Sequence, residues 1–217
     1  MSTNEKMNSL TRVFYLRDAN VVAPELLGKR LVHCSDKGIT SGIIVEVESY
    51  IGPHDKGSHA YFNKRTERTE IQFGLGGYAY VYTIYGMHFC FNVVTNINDK
   101  PEVVLIRALE PVDGIELMQQ RRNTKQLVDL CNGPGKLCQA MNITKAQYGW
   151  DLCDSKLYIE SSRIIEKSSI MVSPRINIDY AGDCKKYLWR YFIKDNPYVS
   201  KVAQQYIDQQ KCYEDSF

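Results

Sequence analysis

Tyr78-Ala79-Tyr80-Val81-Tyr82-Thr83-Ile84-Tyr85-Gly86-Met87-His88-Phe89-Cys90-Phe91-Asn92 is the stretch that sets the fold class. Aromatic and β-branched residues alternate into Tyr85-Gly86 and out again, which predicts strands over 78–82 and 89–94 joined by a hairpin end over 84–87. Side chains alternate along a strand, so Tyr78, Tyr80 and Tyr82 share a face and Tyr85 projects from the tip. A projecting ring beside a tyrosine-lined face suits stacking on flat ligands, nucleobases included. An ordinary cross-strand aromatic ladder would use the same residues structurally.

Working outward, 42–50 is rich in Ile and Val and reads as a strand. In Val45-Glu46-Val47-Glu48-Ser49-Tyr50 the pleat puts Glu46, Glu48 and Tyr50 on one face and Val45, Val47 and Ser49 on the other. Two carboxylates one strand repeat apart can divide labour, one as base or electrostatic stabiliser and the other held in a hydrogen-bonded network. The solvated edge of an amphipathic strand has the same pattern. A further strand is expected over 103–109 and a late one over 188–193. Helices are expected over 25–30 behind Pro24, from an Asp113 N-cap through 122, from Pro134 through 141, and from Pro197 onward. The segment 161–173 reads as a surface loop. Without regular β-α-β alternation this is an α+β chain, not a doubly wound sheet.

Composition bounds the rest. The chain has 217 residues, 44% hydrophobic and 24% charged, so a core can form and wholesale disorder is excluded. The 27 Lys plus Arg nearly balance 25 Asp plus Glu, which neither demands nor forbids a nucleic-acid partner. Fifteen Tyr suit half-buried clefts. Seven cysteines without a C-x-x-C pair, an N-terminus without an apolar signal, and apolar runs far short of about 20 residues predict a soluble intracellular protein with reduced thiols and no metal. With no repeat or linker, one domain over 1–217 is expected. Basic groups stand at Lys64, Arg65 and Arg68, at Arg121, Arg122 and Lys125, and at Lys185, Lys186, Arg190 and Lys194. Gly133-Pro134-Gly135-Lys136 offers amides and a cation at a helix start, a common anion site, although its spacing is not that of a P-loop.

Six motifs then fall in one order: Val45-Glu46-Val47-Glu48-Ser49-Tyr50-Ile51-Gly52-Pro53, His59-Ala60, Tyr80 to Met87, Phe89-Cys90-Phe91-Asn92, Leu105-Ile106-Arg107-Ala108-Leu109-Glu110-Pro111, and Gly133-Pro134-Gly135-Lys136-Leu137-Cys138-Gln139-Ala140. Together they resemble the alkyladenine (3-methyladenine) DNA glycosylase family over about residues 20–200, with 1–19 and 201–217 as terminal extensions. The resemblance implies a single mixed domain with an antiparallel sheet and a protruding hairpin, working without metal or cofactor on double-stranded DNA that contains alkylated or deaminated purines. It makes Glu48 the general base and puts Arg107 and Asn92 beside the attacking water and the flipped nucleotide. Tyr50, His59 and Tyr82 become pocket walls, and Tyr85 the wedge that fills the vacated stack. Glu46 is left in support. Lys64, Arg68, Gly133 and Lys136 are candidate contacts to the DNA backbone. Residues 61–73 follow the family only loosely. The protein is expected to be a monomer, cytoplasmic if bacterial and nuclear if eukaryotic. Other functions open to these residues are a damaged-DNA binding module and a glycoside hydrolase using the Glu46–Glu48 pair.

Overall fold

One strand organises the molecule. Gly38–Ile51 runs fourteen residues and is buried on both faces from Thr40 to Ser49, as expected of a run so rich in Ile and Val. The computed structural model describes residues 8–202, 206 and 208–216. Its elements are α1 (Arg12–Tyr15), α2 (Ala19–Leu26), β1 (Arg30–Ser35), β2 (Gly38–Ile51), β3 (Ala79–Ile84), β4 (His88–Thr95) and β5 (Glu102–Asp113), then α3 (Ile115–Arg122), α4 (Leu127–Leu130) and α5 (Pro134–Met141). The chain continues through β6 (Leu157–Glu160), β7 (Ile170–Ser173), β8 (Arg190–Ile193) and β9 (Lys211–Cys212).

Every pairing is antiparallel. Along one edge β2 pairs with β5, which continues through β4 to β3. Its other edge is shared: residues 38–43 pair with β1, and residues 46–48 with β8. The sheet therefore forks at β2, one branch leading to β6 and the other through β7 to β9. At the fork Ile44 faces Leu109, Glu46 faces Ala108 and Val47 faces Ile106, so Val45 and Arg107 are extra residues in their strands. Such bulges re-aim side chains and cluster near active sites. Here Val45 joins Ile43 and Ala108, whereas Val47 joins the main core. The expectation that Val45 and Val47 share a face is thus corrected.

The main core lies between the sheet and the helices, where Ile44, Val47, Phe91, Val104, Ile106 and Leu109 meet Leu26, Leu137 and Met141. The α+β class, antiparallel sheet and hairpin stand as expected, and α5 spans 134–141 as read. Other elements differ. Helix α2 starts at Ala19, capped by the Asp18 side chain accepting from the Asn20 amide, and Pro24 lies inside it. Residues 25–30 therefore include that helix's end and the start of β1. Asp113 belongs to β5, where Ser41 Oγ donates to its carboxylate, and Gly114 caps α3 at φ +69°. A Cβ at Gly114 would stand 2.2 Å from the Ile39 carbonyl oxygen, so only glycine fits. The supposed loop 161–173 ends in β7, whose Ile170 and Val172 are buried. Residues 197–202 are not helical, and the rest of the helix expected there falls partly on 203–205 and 207, outside the described residues. All seven cysteines are free thiols.

Candidate active site

The face of the β3–β4–β5–β2 sheet away from the main core floors a cavity of about 400 Å³, within the usual range for a small-ligand site. Tyr50, His59, Tyr82, Tyr85, Asn92, Arg68 and Arg107 all line it. Residues 50 to 107 thus converge from four strands, the β3–β4 turn and the loop between β2 and β3, as the motif order implied. Pro134 and Gly135 line its edge at the start of α5, with Gly135 packed against His88.

Glu48 lies directly behind the wall and is fully buried. Its Oε2 accepts from the Tyr50 hydroxyl (2.8 Å) and from Arg107 Nη1 (3.2 Å), and its Oε1 from the Ile176 amide (2.8 Å). All three donors line the cavity. Glu46 is also fully buried. It accepts from Arg107 Nε (2.9 Å), Arg190 Nε (2.7 Å), Ser200 Oγ (2.8 Å) and the Ser200 amide (2.7 Å). Burial pushes the Glu46 carboxyl up, but Arg107 and Arg190, with Ser200 donating, more than reverse this and hold it below its ordinary value. Arg107 in turn is kept charged against its own burial by Glu48 and Glu46.

The walls are fixed by a second buried pair. Arg175 donates to both oxygens of Asp55, and neither side chain is exposed. It also donates to the Ser49 carbonyl at 3.0 Å, and its guanidinium sits 4.6 Å from the Tyr50 ring centroid and 5.0 Å from that of Trp189. Asp55 accepts from the Gly57 amide as well, so the loop carrying His59 is pinned to the segment carrying Ile176. Burial drives the Tyr50 and Tyr82 phenols up, Glu48 adding to the shift in Tyr50, so both keep their protons. His59 stands edge-on to Tyr82 with ring centroids 4.7 Å apart. Arg68 Nη2 donates to its Nε2 at 3.3 Å, which leaves Nδ1 to carry the proton toward the Tyr80 hydroxyl at 2.8 Å. Burial, then Arg68 and Lys64, lower the imidazole to about 4, so it is neutral near pH 7. Asn92 donates Nδ2 to the Tyr80 carbonyl, which sets the orientation of its amide.

Tyr85 stands at the hairpin tip with its ring 79% exposed and φ at +52°, next to Gly86, whose surroundings are open. Among the basic candidates, Arg68 is exposed and lines the cavity, lying over the Tyr82 ring at 4.8 Å, and Lys64 is exposed on the same loop. Lys136 instead donates to Asn132 Oδ1 at 2.7 Å, while Gly133 caps α5. Arg190, also among the basic groups, is buried against Glu46, and Arg121 donates to the Ala140 carbonyl. The sequence reading missed Asp55, Arg175, Ile176 and Ser200. No local signal marks them, since their partners lie 120 or more residues away. Among the described residues no group of three or more His, Cys, Asp or Glu could hold a metal ion, and no helix is long and apolar enough to cross a membrane.

A family model described as methylpurine-DNA glycosylase matches residues 13–197. A Clostridium acetobutylicum protein is 52% identical over 203 residues, covering 90% of this chain and 98% of its own. One from Desulfitobacterium hafniense is 49% identical over 203 residues (89% and 99%), and one from Bacillus cytotoxicus 50% over 198 (87% and 97%). All three bear the description "Putative 3-methyladenine DNA glycosylase".

Proposed function

The chain belongs to the methylpurine-DNA glycosylase family, and on that footing we propose that it is a DNA-3-methyladenine glycosylase acting on duplex DNA. It flips an alkylated or deaminated purine into the cavity and hydrolyses the N-glycosidic bond with water activated by Glu48, leaving an abasic site. The observation that carries this reading is where the donors to the two carboxylates stand: all three donors to Glu48 line the cavity, whereas of the donors to Glu46 only Arg107 does, Arg190 and Ser200 lying outside it. That asymmetry supports one base and one structural acid. It speaks against a glycoside hydrolase, which would need both carboxylates free to act across the bond. A pure binding module would have no use for a buried carboxylate behind the wall.

The chemistry follows from the parts. Extruding a base costs a few kcal/mol, least for a damaged or weakly paired one; Tyr85 fills the vacated stack, a reading that its exposure at the hairpin tip supports. A base such as 3-methyladenine is cationic, and the faces of Tyr50 and Tyr82 favour it by about 0.5–2 kcal/mol. That margin cannot reject all normal purines, so exclusion of guanine's amino group falls to shape, with Asn92 as its agent. Breaking the bond builds positive charge on the sugar; Glu48 stabilises that charge and takes the proton from the attacking water, while Arg107 orients the carboxylate. A cationic base leaves without protonation. A neutral one such as hypoxanthine needs a proton, which a His59 titrating near 4 does not supply at neutral pH. Among the described residues no lysine lines the cavity, which supports hydrolysis without a Schiff base or strand cleavage. With relatives from bacteria, the reading carries a cytoplasmic setting with it.

Release of free base from methylated and deoxyinosine-containing duplexes tests this, comparing the unaltered chain with Glu48→Gln. Base release lost with lesion binding retained is the expected result. Equal activity in both would remove Glu48 as the base, and strand nicking before alkali would remove the monofunctional mechanism.

A further inference from the structure

Nine non-glycine residues among those described adopt positive φ. Seven are Asn or Asp, the residues that tolerate this region; the other two are Tyr85 and Phe62. Phe62 sits at φ 56° and ψ 31° with its ring 80% exposed, against 79% for Tyr85. A bulky aromatic there bears backbone strain and also exposes its apolar ring to water. Strain of this kind gathers where a ligand makes use of the residue. Within the protein the ring meets Tyr61, at 4.3 Å between centroids.

Its position supplies the ligand. Phe62 lies three residues beyond His59 in the cavity wall, so their Cα atoms are at most about 11 Å apart. Its amide donates to the Pro53 carbonyl at 2.9 Å, which folds the loop back on itself and leaves the ring outward. Lys64 is exposed two residues on, close enough for its charge to lower the His59 imidazole, and Arg68 is exposed on the same loop. An exposed flat ring on the loop that carries His59 and Arg68 into the cavity wall, with Lys64 and Arg68 exposed on the same loop, matches a polyanion with stacked bases. From these observations we propose that Phe62 is a second aromatic probe of the DNA. It stacks on a nucleotide within about three base steps of the flipped purine, at 3.4 Å per step, with Lys64 on an adjacent phosphate. The inference rests on the glycosylase reading and adds to it a contact distinct from the Tyr85 wedge.

Phe62→Asn separates the alternatives, because asparagine accepts the backbone conformation while removing the ring. Melting temperature and affinity for a duplex with a single deoxyinosine are measured in a Glu48→Gln background, and base release in an otherwise unaltered one. Expected is a melting temperature equal to or above the parent's, affinity for the lesion duplex lowered about tenfold, and an unchanged salt slope. Phe62→Trp should restore affinity and Phe62→Leu should not. Unchanged affinity in Phe62→Asn overturns the proposal, as does a melting temperature that falls with the affinity, since the ring would then be structural. Rescue by leucine alone would replace stacking with simple apolar contact and overturn it too. An unaltered chain that releases no base would fail the glycosylase reading itself; one that releases base at the same rate and with the same affinity as Phe62→Asn fails only this inference.

Discussion

Replacing Arg190 with Met should remove a large part of the protein's stability, in a pH-dependent way. Arg190 is buried, with Nε donating to Glu46 and Nη1 donating to Ser173 Oγ at 2.9 Å. Together with Arg107, Glu46 and Glu48 it forms a buried cluster of two cations and two anions, formally neutral. Methionine fills much of the volume but leaves one negative charge without a counterpart. Removing one member of a buried pair costs about 3–5 kcal/mol. Total stabilities lie at about 5–15 kcal/mol. At about 2–4 °C per kcal/mol for a chain of this size, the melting temperature should fall by roughly 6–20 °C. The pH dependence follows from Glu46. In the intact protein its carboxyl is held below 4.5, so the stability it contributes is present above that value and is lost as pH falls through the folded one. Without Arg190, burial gains the upper hand and the carboxyl rises, so the penalty is largest where solution pH demands a charge. The gap between parent and variant should therefore be wide near pH 7 and narrow toward pH 4. Thermal denaturation of the parent, Arg190→Met and the double variant Arg190→Met with Glu46→Gln measures this, the glutamine removing the uncompensated charge. A gap independent of pH, or a double variant no more stable than the single one, would refute the argument.

Three further outcomes are expected. The His59 imidazole titrates near 4 when folded against 6.5 when unfolded, so the unfolded chain takes up the proton first and stability falls with pH between those values; Glu and Asp aside, His59→Gln should flatten that part of a urea-denaturation series, and equal slopes would contradict it. Tyr85→Ala should weaken lesion capture more than non-specific binding in gel shifts at matched salt; a parallel loss in both would end the wedge role. Gly114→Ala forces a Cβ to 2.2 Å from the Ile39 carbonyl at a left-handed φ, and should cost at least about 2 kcal/mol by chemical denaturation while the surviving enzyme keeps its rate.

Legibility in the sequence followed the range of the forces. The hairpin, the β2 and β5 strands and the start of α5 are written in local alternation and in Pro134, and the structure has them. Where a local rule met a long-range competitor, it failed. Asp113 has the side chain of a cap, but Ser41 and Arg30 claim it within the sheet, and Gly114 takes the turn. Strict alternation along 45–50 broke at the Val45 bulge, which only the partner strand's own extra residue, Arg107, explains. Nothing near Arg190 in the sequence marks it as buried, since charged residues are seldom buried unpaired and its partner lies 144 positions away. Of the site residues, those carried by contiguous motifs converge on the cavity, whereas Asp55, Arg175 and Ser200 act chiefly through partners 120 or more positions away, which no spacing rule encodes.

The fork at β2 has a consequence for how the enzyme comes into being. The strand bearing Glu48 draws its donors from Arg107, Ile176, Arg190 and Ser200, so the acid's surroundings are gathered from nearly the whole length of the polypeptide. A nascent or clipped fragment ending before residue 190 lacks Arg190 and Ser200, two of the residues that seat Glu46. The buried acid cluster is therefore complete only once nearly the whole polypeptide is in place.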